Sequence, residues 1–353
     1  MQPIPVYHWL LYCRPGFEQE CVQEALRQAK QQKPVIAEQP AIYTDSGYAV
    51  VAINEQELSY RELIFARQLI RVCRHIDALS ERDRLTPILA AIDAMSGTYG
   101  SLWLEVPDTN EGKTLSAFTR RFHPLLEDAL RERNRLQDDP HSLRLHLFFP
   151  GKDSVLIGTS DPHNSSNCHM GIARQSMPAE APSRSALKLA EAFEVFMGKA
   201  EQSRLLHQGM SAVDLGAAPG GWTWQLARYG IRVTAVDNGP LKGVVAHHPL
   251  VQHLRQDGFK YAPRKPVDWL VCDMVEKPSR VASLIATWFV AGWCRHAIFN
   301  LKLPMKQRLA ALDIALRSIC KQLDDEDIHH RILAKHLYHD REEVTVFITK
   351  TRR

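Results

Sequence analysis

The chain has 353 residues, 45% of them hydrophobic and 24% charged, which is ordinary for a globular protein and long enough for two domains. Its 44 basic and 40 acidic side chains leave a formal net charge of only +4, so any nucleic-acid face must come from local clustering rather than overall charge. No stretch reaches the ~20 apolar residues that span a bilayer, which excludes a helical membrane anchor.

In chain order, Val6–Tyr12 reads as a strand, and Pro15 and Gly16 lead into an amphipathic helix over 17–30. Ile36 and the segment 41–53 read as extended, with a break at 45–47. Helical patterns follow at 59–73 and 84–94, then a strand at 101–106. A helix over 115–135 lies in a basic region holding Lys113, Arg120, Arg121, Arg131, Arg133 and Arg135. That region reads equally well as a solvated helix face or as an RNA-facing surface. Segments 143–149 and 154–159 form a hairpin around Pro150 and Gly151.

The polar stretch 161–183, with Pro162, Pro178 and Pro182, reads as a connection between domains 1–160 and 184–353. Within it His163, Cys168 and His169 lie close together but lack a second half, so no metal is expected. The seven cysteines are widely spaced, without a CxxC pair, and fit a reducing compartment. The amino-terminal run MQPIPVYHWLLYCRPG has no basic leader or cleavage pattern, and the expected location is the cytoplasm.

After a helix over 184–197 the rhythm changes to strand–helix alternation. Strands are expected at 212–215, 232–236, 268–272 and 297–301, and helices at 220–229, 279–294 and 305–323. Strands at 330–335 and 343–349 close the chain. Alternation of this kind predicts an α/β, Rossmann-like sheet, largely parallel and covered by helices on both faces.

One loop in this half points to a ligand. Val213-Asp-Leu-Gly-Ala-Ala-Pro-Gly-Gly-Trp-Thr223 lies between a short apolar strand and a helix, and its small residues allow a cofactor close to the backbone. Asp237 ends the next strand, where a carboxylate can accept the hydroxyls of a cofactor ribose. The loop reads GAAPGG rather than GxGxxG and lacks a Walker lysine, which disfavours NAD and ATP. A nucleoside cofactor without a pyrophosphate fits better.

The DLGAAPGGWT stretch and the later Leu301-Lys302-Leu303-Pro304 resemble the FtsJ-like ribose 2'-O-methyltransferases over roughly residues 180 to 353. Across its full length the chain resembles the bacterial 23S ribosomal RNA cytidine 2'-O-methyltransferases, which carry an amino-terminal α+β THUMP-type RNA-binding region. The resemblance implies S-adenosyl-L-methionine as cofactor, held by Ser185, Ala218, Pro219, Gly220, Gly221, Asp237, Asp257 and Asp273. It also implies a cytidine of 23S rRNA as substrate, and a monomer with no obligate protein partner.

Methyl transfer to a ribose hydroxyl asks for alignment of oxygen, methyl carbon and sulfur, and for removal of a proton. Lys302 follows an apolar strand and precedes Pro304, Asp273 ends the strand before it, Lys188 lies in the helix ahead of the sheet, and Glu343 starts the last strand. These four match the Lys-Asp-Lys-Glu tetrad of the FtsJ-like enzymes. The match implies Lys302 as proton acceptor and Lys188 as the group that lowers its pKa. Asp273 and Glu343 would then hold the two ammonium groups and the substrate ribose. Glu342 competes with Glu343, since strand alternation turns only one of them toward the site. No cysteine is placed for a covalent route, Cys272 being expected inside its strand, and no Asn/Asp-Pro-Pro-Tyr motif for amine methylation is present.

RNA contacts are expected from the basic positions of the first half and from Lys302, Lys306, Arg308, Arg331 and Lys335, lining a groove between the domains. Trp222 and Trp224 are candidate stacking platforms, with helix packing as the plainer role. Two rival functions are a methyltransferase whose first domain selects tRNA or a protein, and a catalytically silent RNA-binding module in ribosome assembly.

Overall fold

Two mixed sheets organise the chain, one in each of two units, Met1–Ile172 and Ala173–Arg353. The computed structural model describes residues 6–32, 41–54 and 56–351, so the extended reading at Ile36 lies outside the described residues. Among the described residues no helix is long and apolar enough to cross a membrane.

The first unit opens with β1 (Val6–Tyr12) and α1 (Glu18–Gln32), followed by β2 (Ala41–Ile42) and β3 (Tyr48–Asn54). β1 then pairs antiparallel with both β3 and β4 (Gln68–Ile76). The expected helix over 59–73 does not form. Its apolar residues do recur at helical spacing, but Glu24 of α1 accepts the backbone amides of Ile64, Phe65 and Ala66 at 2.6, 2.9 and 2.9 Å. Those amides are unavailable to a helix ladder, and the run from Gln68 onward is taken up between β1 and the seventh strand.

The unit continues with α2 (Leu85–Asp93), β5 (Ser101–Glu105), α3 (Asn110–Glu132), β6 (Arg144–Phe148) and β7 (Val155–Ser160). The strand order is β2-β3-β1-β4-β7-β6-β5, with only β5 and β6 parallel. β6 and β7 form the expected hairpin. Helix α3 begins before position 115 because the Thr109 hydroxyl accepts from Gly112 N at 3.0 Å, an N-cap.

Several basic groups of the region around α3 are tied within the unit. Arg131 pairs with Glu127 and Asp138, Arg133 with Asp93, and Arg135 donates to the carbonyls of Ile92 and Met95 at the end of α2. Lys113, Arg120 and Arg121 are exposed.

Residues 161–172, expected to begin the linker, instead belong to the first unit. Arg144 donates to Ser165 Oγ at 3.0 Å and to the Ser166 carbonyl at 2.7 Å, while Asn164 bonds to Leu58 and Tyr60. Buried Glu105 accepts from Met170 N at 2.6 Å and also from Tyr12 Oη at 2.7 Å. A buried guanidinium and a buried carboxylate thus hold a polar segment whose composition reads as loop. His163 stacks on His141 and His169 on Trp103.

The second unit runs α4 (Ser185–Phe196), α5 (Lys199–Leu205), β8 (Ser211–Leu215), α6 (Gly221–Ala227), β9 (Arg232–Val236) and β10 (Val251–Leu254). β11 (Val267–Cys272), α7 (Pro278–Val290), β12 (Cys294–Lys302), α8 (Arg308–Asp325), β13 (His330–Lys335) and β14 (Glu343–Lys350) complete it. The short elements α5 and β10 were not expected. α7 stops at Val290 rather than 294 because Gly292, at φ 70°, turns the chain into β12.

The order is β10-β9-β8-β11-β12-β14-β13. The first five strands are parallel, and β14 runs antiparallel to both β12 and β13. Alternate residues of β11 serve the two faces. Trp269 and Val271 pack under α4 and α6 with Phe193, Trp222 and Phe347, while Leu270 and Cys272 are fully buried on the other side. From β8 the chain first goes outward to β9 and β10, then returns to β11 on the other flank. The carboxyl ends of β8 and β11 therefore form a topological switch point, where open α/β sheets keep their ligand crevice.

Candidate active site

The loop after β8 occupies this switch point, and its glycines bring backbones together. Gly216 has φ 79°, and a Cβ there would lie 2.6 Å from Met274 Cγ. At Gly221 a Cβ would lie 2.1 Å from Ser185 Oγ and 2.8 Å from Ala186 N, so only glycine lets α6 start against α4.

Two clefts open beside the loop, sharing Gly216, Ala218 and Asp273. One, of about 260 Å³, is walled by Ser185, Pro219 and Trp222. The other, of about 380 Å³, is walled by Asp237, Asp257, Gly258 and Met274. Six of the cofactor residues expected from the sequence therefore line one or the other of these adjoining clefts, together the recess: Ser185, Ala218, Pro219, Asp237, Asp257 and Asp273. Gly220 and Gly221 line neither cleft. They shape the turn, Gly220 at φ 112° as the N-cap of α6.

Backbone amides orient the acidic groups of this recess. Asp237 accepts from Ala218 N at 3.0 Å and from Gly239 N at 2.7 Å. Asp257 accepts from Phe259 N at 2.9 Å. Asp214, on β8 itself, was assigned no role from sequence. It is buried, and burial pushes its carboxyl up to about 7, against a hydrogen bond from Thr223 Oγ1 at 2.6 Å. Its Oδ1 has no hydrogen-bond partner, an orphaned acceptor under the loop. A recess of this shape, with acceptors on its walls and glycine backbone at its floor, fits an adenosine-type cofactor.

The four tetrad residues converge at the edge of the same recess. The two oxygens of Glu343 are shared between the lysines: Oε1 accepts from Lys188 Nζ, and Oε2 lies 3.0 Å from Lys302 Nζ. Burial alone would raise the Glu343 carboxyl, but the ammonium groups of Lys188 and Lys302 hold it at about 2. Burial works against the Lys188 ammonium, yet the carboxylates of Asp273 and Glu343 keep it above the usual lysine range. Lys302 is the more open of the two, with 28% of its side chain exposed against 12% for Lys188.

Asp273 sits between an amide and an ammonium group. Its Oδ1 accepts from Asn300 Nδ2 at 2.7 Å, and it acts on Lys188 through its charge. Asn300 was missed from sequence, although a buried amide in the apolar run 297–301 was a visible signal. Strand register decides between the two glutamates. Glu343 is the direct ladder partner of Lys302, whereas Glu342 is half exposed and pairs with Arg308 at 3.1 Å.

Other candidates fall elsewhere. Trp222 and Trp224 are buried, Trp222 in the core where it also lines the smaller cleft and Trp224 under Arg228, so neither stands open on the surface. Arg331 donates to Glu201 at 2.5 Å and Lys335 is buried, so these two do not form an open basic strip. Cys272 is fully buried, and burial pushes its thiol up to about 12, which removes it as a nucleophile.

Comparison with known proteins agrees with this geometry. Residues 181–353 match the FtsJ-like methyltransferase family. Residues 83–161 match the family described as ribosomal RNA large subunit methyltransferase M, N-terminal, and residues 6–70 match the RlmM ferredoxin-like domain. The chain is 51% identical to the ribosomal RNA large subunit methyltransferase M of Laribacter hongkongensis, over 97% of this chain and 96% of that protein. It is 45% identical to the protein of the same name from Tolumonas auensis, over 98% and 97%. With that of Methylococcus capsulatus it shares 46% identity over 96% and 97%.

Proposed function

The chain belongs to the ribosomal RNA large subunit methyltransferase M family, and from that membership we propose that it transfers a methyl group from S-adenosyl-L-methionine to a ribose 2'-hydroxyl of 23S rRNA. The observation that carries the reading is the sharing of one carboxylate, Glu343, between Lys188 and Lys302 beside Asp273 at the mouth of the recess.

When bound, S-adenosylmethionine supplies a methyl group already activated on a sulfonium. Asp237 and Asp257 would hold its ribose and adenine, and Ser185, the loop 218–221 and Asp273 its remaining part. The work left to the chain is alignment and removal of one proton. Lys302 Nζ, the more open of the two side-chain nitrogens, faces the substrate and as the neutral amine takes the hydroxyl proton. To act as base it must first be neutral, and a full carboxylate opposite would resist that. Lys188 moderates this resistance by occupying the other oxygen of Glu343, so that one negative charge serves two ammonium groups. Asp273 orients the ribose.

The first unit would serve as a THUMP-type RNA-binding region, with exposed Lys113, Arg120 and Arg121 as phosphate contacts. The target nucleotide is a cytidine presented singly, because its 2'-hydroxyl must reach into the recess. The protein works as a monomer in the cytoplasm.

The test is transfer of labelled methyl from S-adenosylmethionine to unmodified 23S rRNA, followed by nucleoside digestion. The expected product is 2'-O-methylcytidine. Label in tRNA instead would move the substrate, and no label in 23S rRNA, tRNA or assembled subunits would leave a silent RNA-binding module.

A further inference from the structure

Behind the tetrad lies a second polar group that the transfer reaction does not directly use. Asn300, Thr345 and Asp340 are all fully buried. Asn300 and Thr345 are direct partners in the β12–β14 ladder, and Asp340 sits in the loop just before β14. Buried polar groups of this kind are costly unless bonded, and here they are bonded in series. Thr345 Oγ1 lies 2.8 Å from Asn300 Oδ1, and 3.1 and 2.9 Å from the two oxygens of Asp340. Leu337 N donates to Asp340 Oδ2 at 3.0 Å.

Counting protons gives the series a direction. Asp273 is a carboxylate beside Lys188, so the Asn300 group facing it at 2.7 Å must be the amide NH₂. That leaves the Asn300 carbonyl toward Thr345, and only the threonine hydroxyl can donate to it. A hydroxyl has one proton. Once given to Asn300, it leaves Thr345 Oγ1 as an acceptor toward Asp340, and the carboxyl there must supply the next proton. If Asp340 were ionised it would draw the threonine proton to itself, and the Asn300 carbonyl would lose its donor.

We propose that Asp340 is a neutral carboxylic acid that anchors a one-way hydrogen-bond chain, Asp340 to Thr345 to Asn300 to Asp273, and that this chain positions the Asp273 carboxylate for the reaction. The surroundings favour the neutral form. Burial pushes the Asp340 carboxyl well above the ordinary range; the Lys188 ammonium opposes this, and the Glu343 and Glu191 carboxylates reinforce it. Buried Lys335 is the ladder partner of Thr345 on its other side, and of the histidines in the same loop His336 bonds to the Arg341 carbonyl and His339 to Glu191. Asp340, Thr345 and Asn300 are positioning residues, since none of the three lines either cleft.

The proposal rests on the methyl-transfer reading, so the parent enzyme's turnover on 23S rRNA is established first in the same assay. Thr345→Val keeps the shape and removes the hydroxyl. It should lower kcat on the order of tenfold or more and, since Asp273 also lines both clefts, weaken S-adenosylmethionine affinity alongside it, and Thr345→Ser should restore both. Asp340→Asn supplies a permanent donor to Thr345 and an acceptor to Leu337 N. It should keep most of the turnover and flatten the alkaline side of the pH profile, whereas Asp340→Ala should not. Infrared spectroscopy gives a readout independent of activity: a protonated carboxylic-acid band at neutral pH that disappears in Asp340→Asn. Parent-like kcat and pH profile in Thr345→Val, or no such band, would overturn the proposal. Should Thr345→Val fail to fold, the Asp340→Asn profile and the band decide alone.

Discussion

Lys302 and Glu343 stand directly opposite one another in the β12–β14 ladder, with Nζ and Oε2 3.0 Å apart. Because the pair is set by strand register, a shift of one residue would bring Glu342 into the site and turn Glu343 away. The antiparallel β14 therefore does more than close the sheet. It delivers the one carboxylate that both lysines share.

Replacing Lys302 with Ala should reduce methyl transfer by about 10² to 10⁴, the range for losing a positioned general base. S-adenosylmethionine affinity should stay within about twofold, because Lys302 lines neither cleft. Single-turnover kinetics together with titration calorimetry separate the two effects.

Glu343→Gln leaves two ammonium groups facing a neutral amide, and should cost about 3 kcal/mol of stability in urea denaturation at pH 7. The sign of the pH dependence follows from the carboxyl's position at about 2, below its ordinary value of 4.5. Its stabilisation is complete above that ordinary value and lost as pH falls from there toward 2. Denaturation curves of parent and variant should therefore converge through that acid window and stay apart above it.

Asp237→Ala should weaken S-adenosylmethionine binding by about tenfold or more, since a well-made hydrogen bond to a charged group contributes about 1.5–3 kcal/mol. At saturating cofactor, kcat should change little. Unchanged affinity by calorimetry would remove Asp237 from the cofactor site.

Gly221→Ala places a methyl group against Ser185 Oγ and the Ala186 amide. It should destabilise the second unit by about 1–3 kcal/mol and weaken cofactor binding. Gly198→Ala is the control: nothing lies within 4 Å of its added methyl, and stability should hold within about 0.5 kcal/mol. Matching thermal shifts for the two variants would contradict the close approach.

Much of the recess was legible in the chain because its signals are local. The apolar run 212–215, the small residues after it and the acidic residue ending β9 are all read within a few positions of each other. The tetrad came from likeness to a family, and its geometry added what likeness did not carry: Asp273 accepts a hydrogen bond from Asn300 as well as acting on Lys188. What stayed hidden depends on partners far along the chain. Segment 59–73 loses its helix to a glutamate about 40 residues earlier. Asn300 and Thr345 meet only through strand register, and Asp214 shows its unpaired oxygen only once β8 is buried. The fastening of residues 161–172 relies on Arg144 and Glu105, which composition cannot connect to a polar loop.

Helix α4 carries Ser185 at the cleft wall and Lys188 at the Glu343 bridge, three positions apart and so on neighbouring parts of one helical face. Its first turn is wedged against Gly221 with no room for a methyl group. Seating of the cofactor and aim of the ammonium are thus read from a single ruler. A displacement of α4 moves both marks together, and selection on one of them is unavoidably selection on the other.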